Sequence, residues 1–141
     1  MRKVLVATHG RFAEGIRETM QFIMGGGCTV DVLNAYTEQT FDMHKEVERL
    51  VNGLGEEDEL IVAADLFGGS VANAFIQYMP AGKVHVVTGV NPPMLIELAA
   101  SAESDISAEE LIELAIQTAK EGIVYSNKIL EDNANAQEDD F

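Results

Sequence analysis

VLVATHG, residues 4–10, sets four apolar residues directly before a threonine, a histidine and a glycine. Residues 11–24 follow with the apolar spacing of an amphipathic helix, and its residues at core spacing are Met20, Phe22 and Ile23. A short apolar run followed by helical periodicity is typical of the first strand and helix of an open α/β sheet. Ligands of such sheets collect at the carboxyl ends of the strands, and His9 is predicted to lie at such an end.

The composition indicates one globular domain that does not bind nucleic acid. Of 141 residues, 47% are hydrophobic and 23% charged, which is enough for a single packed core. The net charge of -15 opposes binding to the phosphates of nucleic acid. The lone cysteine, Cys28, is predicted to be a small buried residue of a reducing compartment. The first apolar run is too short for a signal peptide or a membrane span, so we expect a cytoplasmic protein.

Strands and helices alternate along the rest of the chain. Further strands are predicted at residues 28–35, 59–65 and 83–89, and helices within residues 41–53, 66–79, 91–101 and 108–122. This alternation favours a three-layer α/β fold, with a mostly parallel sheet between helices on both faces. The commonest order of four such strands is 2-1-3-4, and its switch point lies between strands one and three.

Local signals mark the helix starts and the end of the fold. Ser107, with Glu110 three positions later, is a capping pattern for the last helix. The apolar residues 123–127, IVYSN, are predicted to form one more short strand, with a continued helix as the alternative. Residues 129–141 contain five acidic residues and no basic one, which predicts a disordered tail after a folded domain of residues 1–128.

The two strands that flank the switch point end on His9 and Asp65. Because adjacent parallel strands end side by side, the imidazole and the carboxylate can come within hydrogen-bonding distance. A carboxylate on one ring nitrogen fixes the tautomer and leaves the other nitrogen as a nucleophile. Each residue alone is more often structural, as a loop hydrogen-bonding group or a helix cap, so only their coincidence favours a catalytic site.

A phosphate site is predicted beside this pair. Gly68, Gly69 and Ser70 open the helix after strand three, where free backbone N–H groups and a hydroxyl can hold phosphate oxygens. Gly10 is predicted to contribute in the same way from the start of the first helix. No metal-ligand spacing occurs among the histidines, the cysteine and the acidic residues, and no cofactor is predicted.

Three segments together resemble the IIA component of the mannose-family sugar phosphotransferase system. They are VATHGRFAEGI at 6–16, ADLFGGSVANA at 64–74 and VTGVNPPMLIELA at 87–99. The resemblance implies that the phosphocarrier protein HPr phosphorylates His9, which passes the phosphoryl group to a IIB component. It also implies that Asp65 hydrogen-bonds this histidine, and that Ser70 matches the serine of the family's G-G-S segment.

The resemblance carries further expectations. Val71 stands where the family often has proline, and Phe67 where it has tryptophan, so the surface near the site differs. The family is dimeric through an antiparallel strand exchanged near the C-terminus, for which residues 123–127 are the candidate. The acidic tail implies a IIB component on a separate chain, with the membrane components IIC and IID reached only through it. The transported sugar stays open.

Three alternative functions are weighed against the phosphocarrier. The phosphotransfer subunit of dihydroxyacetone kinase has a similar domain, but GVNPPM at 89–94 resembles the sugar-transport branch. A response-regulator-like switch phosphorylated on Asp65 would need an acidic cluster after strand one, where THG offers none. A Ser-His-Asp hydrolase would need a G-x-S-x-G turn, and GGSVA at 68–72 lacks the second glycine.

Overall fold

The four strands form one parallel sheet in the order β2-β1-β3-β4 in the computed structural model, which describes residues 1–27 and 29–139. The strands are β1 (Arg2–His9), β2 (Asp31–Ala35), β3 (Glu59–Ala64) and β4 (Val84–Thr88). The predicted order is confirmed. Because β1 and β3 are paired neighbours in the middle of the sheet, His9 and Asp65 come to the same edge.

Helices cover both faces of the sheet. They are α1 (Phe12–Met24), α2 (Met43–Asn52), α3 (Ser70–Ile76), α4 (Pro92–Ala100), α5 (Ala108–Glu121) and α6 (Ser126–Asp139), with one 3₁₀ turn at Met79–Ala81. Val4 and Val6 pack against α1, α4 and α5, whereas Leu5 and Ala7 pack against α2 and α3. This alternation follows from the two-residue period of a strand and confirms the three-layer fold.

Within the described residues, no helix has both the length and the apolar character that a membrane span requires.

The helix starts follow the local signals in the sequence. The Ser107 hydroxyl accepts a hydrogen bond from the Glu110 N–H at 3.1 Å, so Ser107 caps α5 as predicted. Asn91 caps α4 by accepting from the Met94 N–H at 3.0 Å. Two prolines then occupy the first turn of α4, where a missing N–H costs no helical hydrogen bond.

One prediction about α1 is wrong. Met20 is buried, but Phe22 is 84% exposed and Ile23 is also exposed. The buried stripe of α1 runs through Ala13, Ile16 and Met20. At 3.6 residues per turn, Phe22 lies on the opposite side of the helix from this stripe and Ile23 lies beyond its margin. Apolar character alone therefore misplaced the boundary of the buried face.

The C-terminal segment differs from both predictions made for it. Residues 123–125 connect α5 to α6, and no strand follows β4 in the described part of the chain. A strand needs a neighbour to pair with, and this segment pairs with no strand in the described part of the chain. Residues 126–139 are helical rather than disordered, because hydrogen bonds from the Lys128 and Ile129 N–H groups to the Tyr125 carbonyl begin a helix locally. The domain boundary after residue 128 remains a prediction.

Two parts of the predictions lie outside the described residues. These are the burial of Cys28 and the last two residues of the tail, 140 and 141.

Candidate functional site

His9 and Asp65 form a close pair at the carboxyl ends of β1 and β3. The His9 ring Nδ1 lies 2.8 Å from Asp65 Oδ2, and the His9 backbone N–H donates to the same oxygen at 3.0 Å. The other carboxylate oxygen, Oδ1, accepts from the Leu66 N–H at 3.0 Å. Because an ionised carboxylate only accepts, Nδ1 carries a hydrogen, and in the neutral imidazole Nε2 has a free lone pair.

The environment of Asp65 keeps it ionised. Burial raises the pKa of the Asp65 carboxyl, but hydrogen bonds from the His9 backbone and ring, together with the attraction to the His9 charge, outweigh this effect. The pKa of Asp65 therefore lies below its usual value. The Asp65 side chain is 15% exposed and that of His9 is 41% exposed. The carboxylate thus lies beneath an imidazole that remains open to other molecules.

Ser70 occupies the free side of the imidazole. Its Oγ lies 3.2 Å from His9 Nε2, at the first residue of α3. The Tyr36 hydroxyl lies 2.9 Å from the same Ser70 Oγ. Four side chains, Tyr36, Ser70, His9 and Asp65, are thus joined by hydrogen bonds across three strand ends.

The glycines predicted to bind phosphate have different roles. Gly69 approaches the imidazole so closely that a Cβ there would lie 3.4 Å from His9 Cε1, and Gly68 adopts a φ of +75° that favours glycine. The N–H groups of Ser70 and Val71, in the first turn of α3, have no acceptor within the helix. The Gly10 N–H, however, donates to the Ala35 carbonyl at 2.8 Å, so it is not free to bind a phosphate oxygen.

Sequence reasoning missed two residues of this region. Thr8 is fully buried, and its hydroxyl accepts from the Ala13 N–H at 2.7 Å, which replaces a side-chain cap at the start of α1. Tyr36 directly follows β2, so the predicted strand order already brought it to the edge that carries His9. A hydroxyl-bearing side chain at that position was the available signal.

Large apolar side chains are exposed in the segments that follow β1 and β3. Phe67 is 94% exposed, and Phe12 and Leu66 are also exposed. Phe12 begins α1 shortly after β1, and Leu66 and Phe67 lie in the loop between β3 and α3, so all three follow the strand ends that carry His9 and Asp65. Exposed apolar side chains grouped at a reactive residue are typical of a surface that another protein covers.

No group of three or more His, Cys, Asp and Glu side chains within residues 1–27 and 29–139 is arranged to hold a metal ion.

A family model and several known proteins are similar to this chain over most of its length. The EIIA-man family, described as "PTS system fructose IIA component", matches residues 3–116. The PTS system mannose-specific EIIAB component of Escherichia coli strain K12 is 28% identical over 123 residues. That alignment covers 85% of this chain and 38% of the relative, so the chain spans under half the length of that protein.

Two solved structures share the fold. One, from Klebsiella pneumoniae and assigned to the phosphoenolpyruvate-dependent sugar phosphotransferase system, is 38% identical with a TM-score of 0.84, covering 92% of this chain and 93% of its own. The phosphotransferase system component EIIA of Streptococcus agalactiae is 26% identical with a TM-score of 0.77, covering 91% and 99%. The similarity extends over nearly the whole of each of these chains.

Proposed function

The chain belongs to the mannose-type IIA family of the sugar phosphotransferase system, and we propose that His9 accepts a phosphoryl group and passes it to another protein. One observation carries the proposal: the Asp65 carboxylate holds Nδ1 and leaves the Nε2 lone pair facing outward. Nε2 is therefore the accepting nitrogen. A IIA component is a phosphotransferase component, and this pair supplies the nucleophile that such a component requires.

The proposed transfer needs only the phosphorylated donor and His9. The Nε2 lone pair attacks the phosphorus of a donor phosphohistidine, the Nε2–P bond forms, and the donor N–P bond breaks. The donor imidazole leaves with the electron pair of that bond. The His9 Nδ1–H stays in place, so the ring gains a positive charge beside the Asp65 carboxylate, at a distance of 2.8 Å. This carboxylate is already positioned and stabilises the charge as it develops.

Groups at the start of α3 hold the transferred phosphoryl oxygens in this proposal. The Ser70 hydroxyl, which hydrogen-bonds Nε2 before transfer, turns to a phosphoryl oxygen when the Nε2–P bond has formed. The N–H groups of Ser70 and Val71 donate to the other oxygens, since no acceptor within α3 engages them. Gly69, which directly precedes these groups, adds no side chain next to the imidazole, where a Cβ would lie 3.4 Å from His9 Cε1.

The proposed partners are proteins that carry a phosphorylated residue. HPr is the donor and a IIB component is the acceptor, as the resemblance implies, with the membrane components acting only after IIB. The exposed side chains of Phe12, Leu66 and Phe67 around His9 support protein docking.

We also propose a homodimer through the C-terminal segment. Five exposed apolar residues lie close together in sequence: Ile123, Val124, Tyr125, Ile129 and Leu130. A second copy that covers them would remove this apolar surface from water. We further propose that the protein acts in the cytoplasm, as the sequence predicts.

A hydrolase is the second candidate, because Asp65, His9 and Ser70 follow the hydrogen-bond order of a serine hydrolase triad. Two features weigh against it. The Tyr36 hydroxyl donates to Ser70 Oγ, which makes that oxygen a poorer nucleophile, and Ser70 begins a helix rather than a G-x-S-x-G turn. A serine-directed phosphonate should therefore leave Ser70 unlabelled, whereas an adduct on Ser70 would favour the hydrolase.

The central experiment tests His9 as the acceptor. The protein is incubated with phosphoenolpyruvate, Enzyme I and HPr, and its intact mass is measured. We expect the wild-type protein to gain one phosphoryl group that is stable in base and lost in acid, as phosphohistidine is. His9→Ala should gain none and should keep its fold, since the side chain lies at an open edge.

His44→Ala is the matched control, because His44 is an exposed helical histidine outside the site. It should be phosphorylated like the wild type. A phosphoryl group that persists on His9→Ala would exclude His9 as the acceptor. A group that is labile in base would instead indicate an acyl phosphate on Asp65.

A further inference from the structure

Tyr36 has an unusual backbone conformation at the edge of the site. Its φ is +65°, and it is the one non-glycine residue with a positive φ in the described part of the chain. For a bulky side chain this left-handed conformation is strained, and such strain persists where the surrounding structure enforces it. Among proteins in general, strained residues of this kind cluster at functional sites.

The left-handed turn brings the tyrosine side chain back to the reactive histidine. The Tyr36 ring centroid lies 5.7 Å from that of His9, with the planes inclined by 35°. The Tyr36 ring also meets Phe41 edge-on, with centroids 5.4 Å apart. Tyr36 is 53% exposed, so neither contact removes it from solvent. The ring therefore contacts both Phe41 and the imidazole, and its hydroxyl lies at Ser70.

The positions of the hydrogens in this row of four hydrogen-bonded side chains follow from Asp65, at one end of the row. Asp65 accepts, so His9 Nδ1 donates to it and Nε2 has only a lone pair. The Ser70 hydroxyl must therefore donate its single hydrogen to Nε2. With that hydrogen engaged, Ser70 Oγ can only accept from the Tyr36 hydroxyl, 2.9 Å away. With a neutral imidazole, the four side chains thus permit one order: Tyr36 to Ser70, Ser70 to His9, His9 to Asp65.

We propose that Tyr36 is a positioning residue for phosphoryl transfer, which acts through Ser70: its hydroxyl directs the Ser70 hydrogen toward His9 Nε2 and the phosphoryl group bound there. This inference rests on the proposed function of His9. Before transfer the Ser70 hydrogen points at the Nε2 lone pair. After transfer that lone pair is in the Nε2–P bond, and the same hydrogen turns to a phosphoryl oxygen, while Tyr36 still donates to Ser70 Oγ.

The expected contribution is modest, because the site is open to solvent. Water can take the place of a lost hydroxyl and donate to Ser70 Oγ in its stead. What is lost is the fixed direction of one hydrogen bond, so we expect about a fivefold slower transfer when the Tyr36 hydroxyl is removed. The Tyr36 ring is unchanged in Tyr36→Phe, and so are its contacts with His9 and Phe41.

A double-mutant cycle tests the route through Ser70. Single-turnover transfer from phosphorylated HPr is measured for the wild type, Tyr36→Phe, Ser70→Ala and the double variant. Tyr36→Phe should slow transfer about fivefold in the wild type and have no effect once Ser70 is alanine. Tyr78→Phe, a half-buried tyrosine after α3, is the matched control and should transfer like the wild type. Equal effects of Tyr36→Phe in both backgrounds, or none in either, would overturn the proposal.

A second measurement does not depend on phosphoryl transfer. The ¹⁵N resonance of His9 Nε2 in the unphosphorylated protein reports the hydrogen bond that this nitrogen accepts. In Tyr36→Phe it should move toward its value in Ser70→Ala, and in Tyr78→Phe it should stay unchanged. If His9 proved not to accept the phosphoryl group, this shift would still test the hydrogen bonds that link Tyr36 to His9 through Ser70. An unchanged Nε2 resonance in Tyr36→Phe would refute the chain even if His9 is phosphorylated.

Discussion

The carboxylate of Asp65 decides which nitrogen of His9 is free, and a single-atom change tests it. In Asp65→Asn the amide keeps the size of the side chain but can donate as well as accept, so the hydrogen is no longer restricted to Nδ1. The variant also lacks the charge that stabilises the phosphorylated ring. We expect transfer from phosphorylated HPr to slow on the order of 100-fold, measured in a single turnover.

Asp58→Asn is the control for this variant. Asp58 lies just before β3, at the opposite edge of the sheet, where it accepts from the Gly55 N–H at 2.8 Å and from the Met1 amino group at 3.0 Å. The Asp58→Asn variant should accept the phosphoryl group from phosphorylated HPr at the wild-type rate. If Asp65→Asn also transferred at that rate, Asp65 would be only a structural acceptor for backbone N–H groups.

The lowered pKa of Asp65 has a consequence for stability. A carboxyl whose pKa is lower in the folded than in the unfolded chain stabilises the fold fully above its unfolded pKa of about 3.9. This contribution is lost as the pH falls through the folded value. The free energy of unfolding of the wild type should therefore exceed that of Asp65→Asn at neutral pH, and the difference should shrink below about pH 4. Urea unfolding of both proteins between neutral and acid pH would test this, and a constant difference would contradict it.

At the scale of the element, Thr8 joins β1 to the start of α1. Arg11, the N-cap residue, does not cap the helix with its side chain, and the buried Thr8 hydroxyl accepts from the Ala13 N–H instead. Thr8→Val keeps the shape but leaves that N–H without its acceptor, and should lower the free energy of unfolding by about 1–3 kcal/mol. Amide hydrogen exchange at Ala13 should become faster.

Thr8→Ser separates this hydrogen bond from packing. It retains the hydroxyl and loses one buried methyl group, so it should lower stability but keep the Ala13 amide protected. Equal exchange rates at Ala13 in the two variants would show that the hydroxyl does not stabilise the start of α1.

For the whole molecule, the proposed dimer depends on the apolar residues of the C-terminal segment. Replacing Ile123, Val124 and Tyr125 together by serine removes apolar side chains that are exposed in the single chain. We expect the wild type to sediment as a dimer and the triple variant as a monomer that is still phosphorylated on His9. Phe22→Ser, which removes an exposed apolar side chain from α1, is the control and should leave the dimer intact. A monomeric wild type would contradict the proposal.

The sequence by itself determined the architecture and the central pair of the site. The positions of the strands and of the helix starts, such as Ser107 at α5, could be predicted because they depend on residues that are close together in the sequence. Parallel strands in the order 2-1-3-4 then bring His9 and Asp65 to one edge, whatever the remaining side chains do. The proximity of these two residues therefore followed from topology alone, and the structure adds the distance of 2.8 Å.

Only the tertiary structure decided the features that depend on where a side chain or an N–H group points, rather than on the order of the strands. The Tyr36 hydroxyl reaches Ser70 because a left-handed residue ends β2, and no periodicity in the sequence predicts a positive φ at a tyrosine. The Gly10 N–H is taken by Ala35, a strand neighbour distant in sequence. Phe22 is exposed because the packing of α1 on the sheet selects one stripe of the helix, and apolar character alone does not show where that stripe ends.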